Sequence, residues 1–163
     1  MARVFVTGSA DGLGKMAGEL LIEKGHKVVL HARSAARADE TQKRIAGAEG
    51  IVVGDLSSIA ETKSVAEQVN KLGGFDAVIH NAGIGYREPN LVKTVDGLPQ
   101  LFAVNSLAPY ILTALITMPK RLVYLSSGMH YGAGSHLGTT DTERQELLLD
   151  LCRKVSDVVL TAQ

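Results

Sequence analysis

The chain has 163 residues, a length typical of one domain that can bury a core of its own. Its 17 basic and 17 acidic side chains leave no net charge, so there is no electrostatic case for binding nucleic acid or an acidic membrane. No apolar run is long enough to span a bilayer, and the first one starts too close to Met1 for a signal peptide, so we expect a cytoplasmic protein. The single cysteine, Cys152, cannot form an internal disulfide and is expected to pack on a helix.

The N-terminal segment predicts a strand, a glycine-rich turn and a helix. The apolar run Val4–Val6 leads into the turn TGSADGLG at 7–14, and Gly25 ends the helical spacing that follows. The apolar residues with that spacing are Leu13, Met16, Ala17, Leu20 and Leu21. In this context glycines let the backbone approach a pyrophosphate closely, and the helix N-terminus offers free N–H groups and a positive dipole end. The segment therefore predicts a dinucleotide-binding site.

Short apolar runs rich in Val and Ile recur further along the chain and predict four more strands. They are Lys27–Leu30, Ile51–Val53, Asp76–Ile79 and Arg121–Leu125. Their hydrophobicity is continuous rather than alternating, which is typical of parallel strands covered on both faces.

Helical segments lie between the predicted strands. Ser58-Ile59-Ala60-Glu61 has the pattern of a capping box, and the helix that it begins is expected to end at Gly73-Gly74. A longer helix is predicted over 98–117, with Pro99 in its first turn and a kink at Pro109.

The C-terminal part predicts a loop and a last helix. The stretch 128–140 contains four glycines and no periodicity, so we expect a loop there, and a helix is predicted to start near 140–143. The apolar stripe of that helix is Leu147, Leu148, Leu151, Val155, Val158 and Val159. The alternation of strands and helices predicts one doubly wound, Rossmann-like parallel sheet in a three-layer α/β/α domain over residues 1–163.

The sequence resembles the short-chain dehydrogenase/reductase family over nearly its whole length. Five motifs stand in the family's order: the TGxxxGxG turn at 7–14, Asp55-Leu56 after the third predicted strand, His80-Asn81-Ala82-Gly83 in place of NNAG, Asn105 in the long helix, and Ser126-Ser127-Gly128 after the fifth strand. Asp96-Gly97 and Ser127-Gly128-Met129-His130 are similar to the branch that contains retinol-dehydrogenase-like and WW-domain-oxidoreductase-like enzymes.

The resemblance implies an oxidoreductase that transfers a hydride between a nicotinamide cofactor and a carbonyl or secondary alcohol. The implied cofactor-binding residues are Gly8, Ser9, Asp11, Gly12, Leu13, Gly14, Arg33, Ser34, Asp55, Leu56, Asn81, Ala82, Gly83 and Lys154. The implied catalytic residues are Ser127, Asn105 and Lys154, which would orient the substrate carbonyl, hold a proton-relay water and hold the nicotinamide ribose. Taken alone, Ser127 is equally a serine in a polar loop, and Asn105 is equally a satisfied helix asparagine.

The end of the second predicted strand bears on the choice of cofactor. Arg33 stands there, and no carboxylate occurs between Lys27 and Arg37. A guanidinium can hold the 2′-phosphate of NADP in fork geometry, whereas a carboxylate would hold the ribose hydroxyls of NAD. The sequence therefore favours NADP, with NAD as the alternative and a solvated loop arginine as the simpler interpretation. Asp11 does not support a preference for NADP, because many NADP-preferring relatives carry a basic residue at that place in the turn.

The resemblance breaks where the family carries its proton donor. Family members have a tyrosine four residues before the lysine, and Asp150 fills that place before Lys154. An ordinary aspartate is ionised at neutral pH and cannot donate a proton there. Asp150 and Lys154 also have the spacing of a routine helical ion pair. Tyr131, four residues after Ser127, is another phenol near the expected site.

The chain is also expected to lack the family's later strands and substrate lid, because it ends at Gln163, inside or just after the lysine helix. Two hypotheses follow. The first is an NADP-preferring oxidoreductase with a small carbonyl or alcohol substrate, and the alternative is a catalytically impaired nucleotide-binding module. We expect no metal, since the histidines show no ligand spacing. A homo-oligomer is compatible with either hypothesis, and neither identifies the substrate.

Overall fold

The structure is a computed structural model that describes residues 1–85, 92–126 and 142–160. In chain order its elements are β1 (Arg3–Val6), α1 (Gly12–Glu23), β2 (Lys27–Ala32), α2 (Ala35–Arg44), β3 (Gly50–Val53), α3 (Ile59–Lys71), β4 (Ala77–His80), α4 (Gln100–Phe102), a π-helical turn (Ala103–Leu107), α5 (Ala108–Leu115), β5 (Arg121–Tyr124) and α6 (Thr142–Ser156). All five strands that the apolar runs predict are confirmed.

The strands form one parallel sheet in the order β3-β2-β1-β4-β5. Phe5 in the central strand pairs with Val29 on one side and Val78 on the other. Because the strands are parallel, their C-terminal ends meet at one edge, and the order reverses next to β1, where such sheets bind ligands. The prediction of a doubly wound, Rossmann-like fold is confirmed.

Apolar side chains cover both faces of the sheet, as the continuous hydrophobicity predicts. Phe5 and Val78 belong to a buried cluster with residues of α3 and α5. On the opposite face, Val4, Val6 and Leu30 pack with residues of α1 and with Ile45, which follows α2. This two-sided burial holds the strand ends, and the turns after them, in register.

The expected apolar stripe of α1 is wrong in part, because the helix packs on the sheet through small residues. Gly14 and Gly18 are buried, while Leu13, Met16 and Leu20 are 68%, 63% and 51% exposed. A Cβ placed on Gly18 would lie 2.8 Å from Cδ2 of Leu30, so glycine brings the helix close to β2. This close approach leaves the larger apolar side chains at the helix flank.

The helix that begins after Pro99 contains a π-helical turn rather than a simple kink. The Ala108 N–H donates to the carbonyl of Ala103, five residues back, in the turn Ala103–Leu107. Pro109 has no N–H and therefore cannot continue the regular hydrogen-bond ladder. The turn places Asn105 on a distorted segment between α4 and α5.

The helix α6 packs on α5 through only the later part of the predicted stripe, because Val155 packs against the core cluster that contains Val158. Cys152 and Ser156 are buried, whereas Leu147, Leu148 and Leu151 are exposed. Cys152 thus packs on a helix, as expected. The Tyr110 hydroxyl donates to the carbonyl of Val158 at 2.9 Å and ties α5 to the chain that follows α6.

Only one of the two hydrogen bonds of a capping box is present at the start of α3. The Ser58 hydroxyl accepts from the Glu61 N–H, but the Glu61 carboxylate accepts from the Asp55 N–H at 2.7 Å.

Within the described residues, no helix is both long and apolar enough to cross a membrane. The loop predicted at 128–140 lies outside the residues that the structure describes.

The backbone junction after β3 generates a stability prediction. A Cβ on Gly54 would lie 2.6 Å from Cγ2 of Val65 and 3.1 Å from the carbonyl of Glu61. Gly54→Ala should therefore lower the free energy of unfolding by about 1–3 kcal/mol, the usual cost of overpacking. Gly50→Ala is the matched control, because a Cβ there meets nothing within 4 Å, and it should change stability by less than about 1 kcal/mol. Urea unfolding followed by circular dichroism measures both, and equal stability of the two variants would contradict the prediction.

Candidate functional site

A crevice of about 610 Å³ lies at the edge of the sheet where the strands end. Its volume is typical of a small-molecule site. Ten of the residues predicted to bind cofactor line it: Gly8, Asp11, Gly12, Leu13, Arg33, Asp55, Leu56, Asn81, Ala82 and Gly83. The tertiary structure therefore brings together residues that come from four separate parts of the chain.

The glycine-rich turn packs tightly against the segment that follows β4. Gly8 has φ +61°, and a Cβ on it would lie 2.8 Å from Cα of Ala82. A Cβ on Gly14 would lie 2.5 Å from the Gly8 carbonyl and would also collide with the side-chain nitrogen of Asn81. Larger residues at these two positions would push the turn away from β4, so glycine sets the shape of the crevice floor.

Asn81 and Thr7 hold the two segments together by hydrogen bonds. The Asn81 amide donates to the carbonyls of Thr7 at 3.0 Å and Gly8 at 3.1 Å. In return, the Thr7 hydroxyl accepts from the backbone N–H groups of Asn81 and Ala82, both at 3.0 Å. The Asn81 side-chain N–H groups therefore hold the glycine turn against the segment after β4 and maintain the shape of the crevice.

Below the turn, Ser9 and His31 link the ends of the strands. The buried Ser9 hydroxyl donates to the Val6 carbonyl and accepts from the His31 N–H, both at 2.8 Å. His31 Nδ1 accepts from the Gly8 N–H at 3.0 Å, which leaves Nε2 to donate to the Gly54 carbonyl at 2.9 Å. Burial lowers the pKa of His31, and this neutral tautomer is the one that the two contacts require.

The N-terminus of α1 opens into the crevice and fits a phosphate. Asp11 caps the helix by accepting from the Gly12 N–H at 3.1 Å. The next N–H groups of a twelve-residue helix have no partner within it, and the dipole places positive charge there. Gly12 has φ +54°, and a Cβ there would meet nothing within 4 Å, so the space above the turn is open. The residues present therefore fit the pyrophosphate of a dinucleotide.

Two arginines, Arg33 after β2 and Arg37 in α2, line one end of the crevice. Nη2 of Arg37 lies 3.1 Å from Oδ2 of Asp11, and Arg44 lies 3.9 Å from the other carboxylate oxygen. The Gly12 N–H, and after it the Arg37 guanidinium, lower the pKa of Asp11, so the carboxylate is charged at neutral pH. Ser34 lies just outside the crevice lining, where its hydroxyl accepts from the Arg37 N–H and caps α2.

Asn105 fastens the segment after β4 to the π-helical turn. Its amide donates to the Ile84 carbonyl at 3.0 Å, and its side-chain oxygen accepts from the Ile84 N–H at 2.9 Å. Ile84 lines the crevice, so Asn105 positions part of its wall. The role of Asn105 in holding a water stays a prediction.

The residues predicted at the reactive end are described only in part. Ser127 and Tyr131 lie outside the described residues. Lys154 is 2.8 Å from Asp150 on α6, and Asp150 also contacts Arg153. Lys154 first, and Arg153 after it, lower the pKa of Asp150, so the helical ion pair exists and the carboxylate is ionised. Lys154 is not part of the described crevice lining, and its contact with a ribose stays a prediction.

Sequence reasoning missed six residues of the crevice: Ala10, His31, Arg37, Ile84, Gln100 and Val104. His31 carries a weak signal, since it is a polar residue inside an otherwise apolar strand. Arg37 carries none, because only the packing of α2 beside the glycine turn brings it to the site. Among the described residues, no group of three histidine, cysteine or acidic side chains could hold a metal.

Comparison with known proteins identifies the family. Residues 2–126 match the family model of the short chain dehydrogenases. The chain belongs to the short-chain dehydrogenase/reductase family. An uncharacterized oxidoreductase of Emericella nidulans is 57% identical over 139 residues, which cover 84% of this chain and 54% of that protein. The five motifs in the sequence thus indicated the correct family.

More distant similarities agree with the branch and the fold. Retinol dehydrogenase 14 of Mus musculus is 30% identical over 152 residues, covering 79% of this chain and 45% of that protein. A short-chain dehydrogenase from Sphingobium yanoikuyae, solved in complex with NADPH, has a TM-score of 0.67 at 21% identity, covering 96% of this chain and 62% of the other. The chain spans about half the length of the curated relatives named above.

His80, which replaces the first asparagine of the family motif, is buried near the crevice. Its ring stacks on Tyr124 with 4.8 Å between centroids, and Nε2 lies 3.3 Å from the Thr113 hydroxyl. Nδ1 is buried and has no hydrogen-bond partner among the described residues. Burial lowers the pKa of His80 to about 4, so the folded protein holds this ring in its neutral form.

The buried imidazoles predict that stability falls with acidity. The unfolded chain binds a proton at each histidine from about pH 6.5, whereas folded His80 does so near pH 4 and folded His31 is also shifted downward. The contributions of both neutral rings to the free energy of unfolding are therefore fully present above pH 6.5. The contribution of His80 should be lost as the pH falls from 6.5 to about 4, by up to about 1.4 kcal/mol per pH unit, and that of His31 should also be lost as the pH falls below 6.5. Denaturant unfolding at several pH values measures this slope. His80→Gln should have a shallower slope, and identical slopes in the two proteins would show that His80 does not contribute.

Proposed function

We propose that this protein is an NAD(P)(H)-dependent oxidoreductase that favours NADP and transfers a hydride between the nicotinamide and a carbonyl or secondary-alcohol substrate. The observation that carries the proposal is the crevice, in which a helix N-terminus, a glycine turn and Arg33 face one space. Family membership supports oxidoreductase chemistry in general. The choice of cofactor and the substrate class rest on the residues of the site.

Each part of the crevice suits one part of a dinucleotide. The α1 N-terminus and the turn at Gly8 and Gly12 would hold the pyrophosphate, and Asp55 would lie near the adenine. Arg33 would pair with a 2′-phosphate in fork geometry. The bound cofactor would supply or accept the hydride. The segment Asn81–Gly83 would let the backbone approach it closely.

One proposed reactive residue, Ser127, follows a strand that ends at the same edge of the sheet as the crevice. The Leu125 N–H donates to the His80 carbonyl at 3.1 Å, so the chain leaves β5 at the same edge of the sheet. Ser127 comes two residues later and would donate a hydrogen bond to the substrate carbonyl. Lys154 would hold the nicotinamide ribose, and Asn105 would hold a proton-relay water.

A second candidate function is nucleotide binding without efficient dehydrogenase chemistry. Asp150 favours it, because this residue stands four before Lys154, where the family carries a tyrosine. Its lowered pKa keeps the carboxylate ionised and unable to donate a proton at neutral pH. Under this hypothesis the chain would act as a sensor or as a partner subunit.

The preference for NADP can be tested at Arg33. We expect the unmodified protein to bind NADPH about tenfold more tightly than NADH, or roughly 1.4 kcal/mol, and Arg33→Ala to remove most of the difference. Fluorescence titration with both cofactors measures the two dissociation constants. Lys43→Ala is the matched control, since it removes a positive charge from α2 outside the crevice lining and should leave the ratio unchanged. Equal affinities in the unmodified protein would contradict the proposed preference.

The aspartate at position 150, where the family carries a tyrosine, predicts slow carbonyl reduction. Loss of a general acid typically costs about 10²–10⁴-fold, so we expect carbonyl reduction by this chain to fall far below a typical ~10 s⁻¹. Asp150→Tyr should raise the rate in part, because it restores a phenol four residues before Lys154. Asp150→Phe is the control that adds the ring without the hydroxyl, and it should give no gain. NADPH oxidation with aldehydes, ketones and quinones measures the rates, and turnover near ~10 s⁻¹ in the unmodified chain would refute the prediction and point to Tyr131 as the donor.

A further inference from the structure

Asp11 and Arg37 form an ion pair in the lining of the crevice. Asp11 belongs to the glycine turn, Arg37 belongs to the first turn of α2, and both line the crevice. Nη2 of Arg37 points at the Asp11 carboxylate from 3.1 Å, while Nη1 donates to Glu40 at 2.8 Å. The guanidinium is therefore held by two carboxylates, of which one belongs to the crevice lining and the other does not.

We propose that this pair limits the preference for NADP: Arg37 is a second ligand for the 2′-phosphate, and Asp11 competes with the phosphate for it. The inference rests on the proposed dinucleotide function of the same site. Binding of a 2′-phosphate exchanges the Asp11 carboxylate for a phosphate oxygen at Nη2, whereas the contact between Nη1 and Glu40 takes no part in the exchange. No covalent bond is formed or broken.

Breaking the Asp11–Arg37 ion pair costs little free energy because the pair is exposed to solvent. The side chain of Asp11 is 69% exposed and that of Arg37 is 31% exposed, and ion pairs of this kind contribute little to stability. A phosphate monoester carries about two negative charges near neutral pH and offers three acceptor oxygens, so it is a stronger partner for a guanidinium than a carboxylate is. Arg33, on the same crevice, supplies the second cation.

Asp11 weakens the binding of NADPH in two ways that act in the same direction. Its charge repels the phosphate, and its oxygen occupies the donor that the phosphate needs. Neither effect acts on the two ribose hydroxyls of NADH, which carry no charge at that position. Asp11 therefore lowers the selectivity that the arginines would otherwise provide.

The test is Asp11→Asn in the full chain. Asparagine keeps a side-chain oxygen that can accept from the Gly12 N–H, so the cap of α1 is retained while the charge is lost. Fluorescence titration should show the affinity ratio of NADPH over NADH rising about tenfold, or roughly 1.4 kcal/mol, with NADH binding little changed. The combined variant Asp11→Asn/Arg37→Gln should lose the part of that gain that comes from the freed Arg37 donor.

Glu40→Gln is the matched control, because it also removes a carboxylate partner of Arg37 but outside the crevice lining. It should change the ratio less than twofold. An unchanged ratio in Asp11→Asn, a gain that persists undiminished without Arg37, or an equal rise in Glu40→Gln would each overturn the inference. Failure of the unmodified protein to bind either cofactor would instead overturn the proposed function, so the two failures are distinguishable.

Discussion

The close contact between the glycine-rich turn and the segment after β4 is the constraint on which the site depends. Gly8 approaches the backbone of Ala82, and Gly14 approaches both Gly8 and the side chain of Asn81. Asn81 and Thr7 then join the two segments through four hydrogen bonds. Side chains at these glycines would separate the segments, and α1 would no longer point its N-terminus into the crevice.

A second set of contacts extends this constraint across the sheet. His31 connects Gly8, at the end of β1, to Gly54, at the end of β3, and it does so as a neutral ring. Ser9 joins β1 to β2 from within the same buried layer. The shape of the crevice thus depends on buried polar groups whose hydrogen bonds are satisfied inside the protein. Because these groups already have their partners, the crevice is preorganised for a ligand.

Charge is distributed unevenly along the crevice. The helix N-terminus and the arginines favour an anion, while Asp11 neutralises part of that field. At the other end of the described chain, Asp150 pairs with Lys154 and Arg153 on α6. Among the described residues, most of the predicted cofactor-binding residues therefore share one crevice, whereas Asp150 and Lys154 form an ion pair outside its lining.

Local pattern predicted the strands and the doubly wound fold, because both depend on short-range signals, and the resemblance of five motifs indicated the family. Apolar runs such as Val4–Val6 and Lys27–Leu30 mark buried parallel strands wherever they occur. The TGxxxGxG turn is a specific signal, because its glycines let the backbone approach a pyrophosphate closely. Ten predicted residues consequently line the crevice.

Only the tertiary structure decided which faces are buried and which partners the polar groups have. The periodicity of α1 and α6 predicted apolar stripes, yet Leu13 and Leu147 are exposed, because α1 packs through its glycines and α6 through Cys152 and the later part of its stripe. Arg37 reaches Asp11 across 26 residues of sequence through the packing of α2. The sequence by itself determined where the chain forms strands, helices and a glycine-rich turn, since those follow from neighbouring residues. The pairing of side chains depended on how the helices approach the sheet.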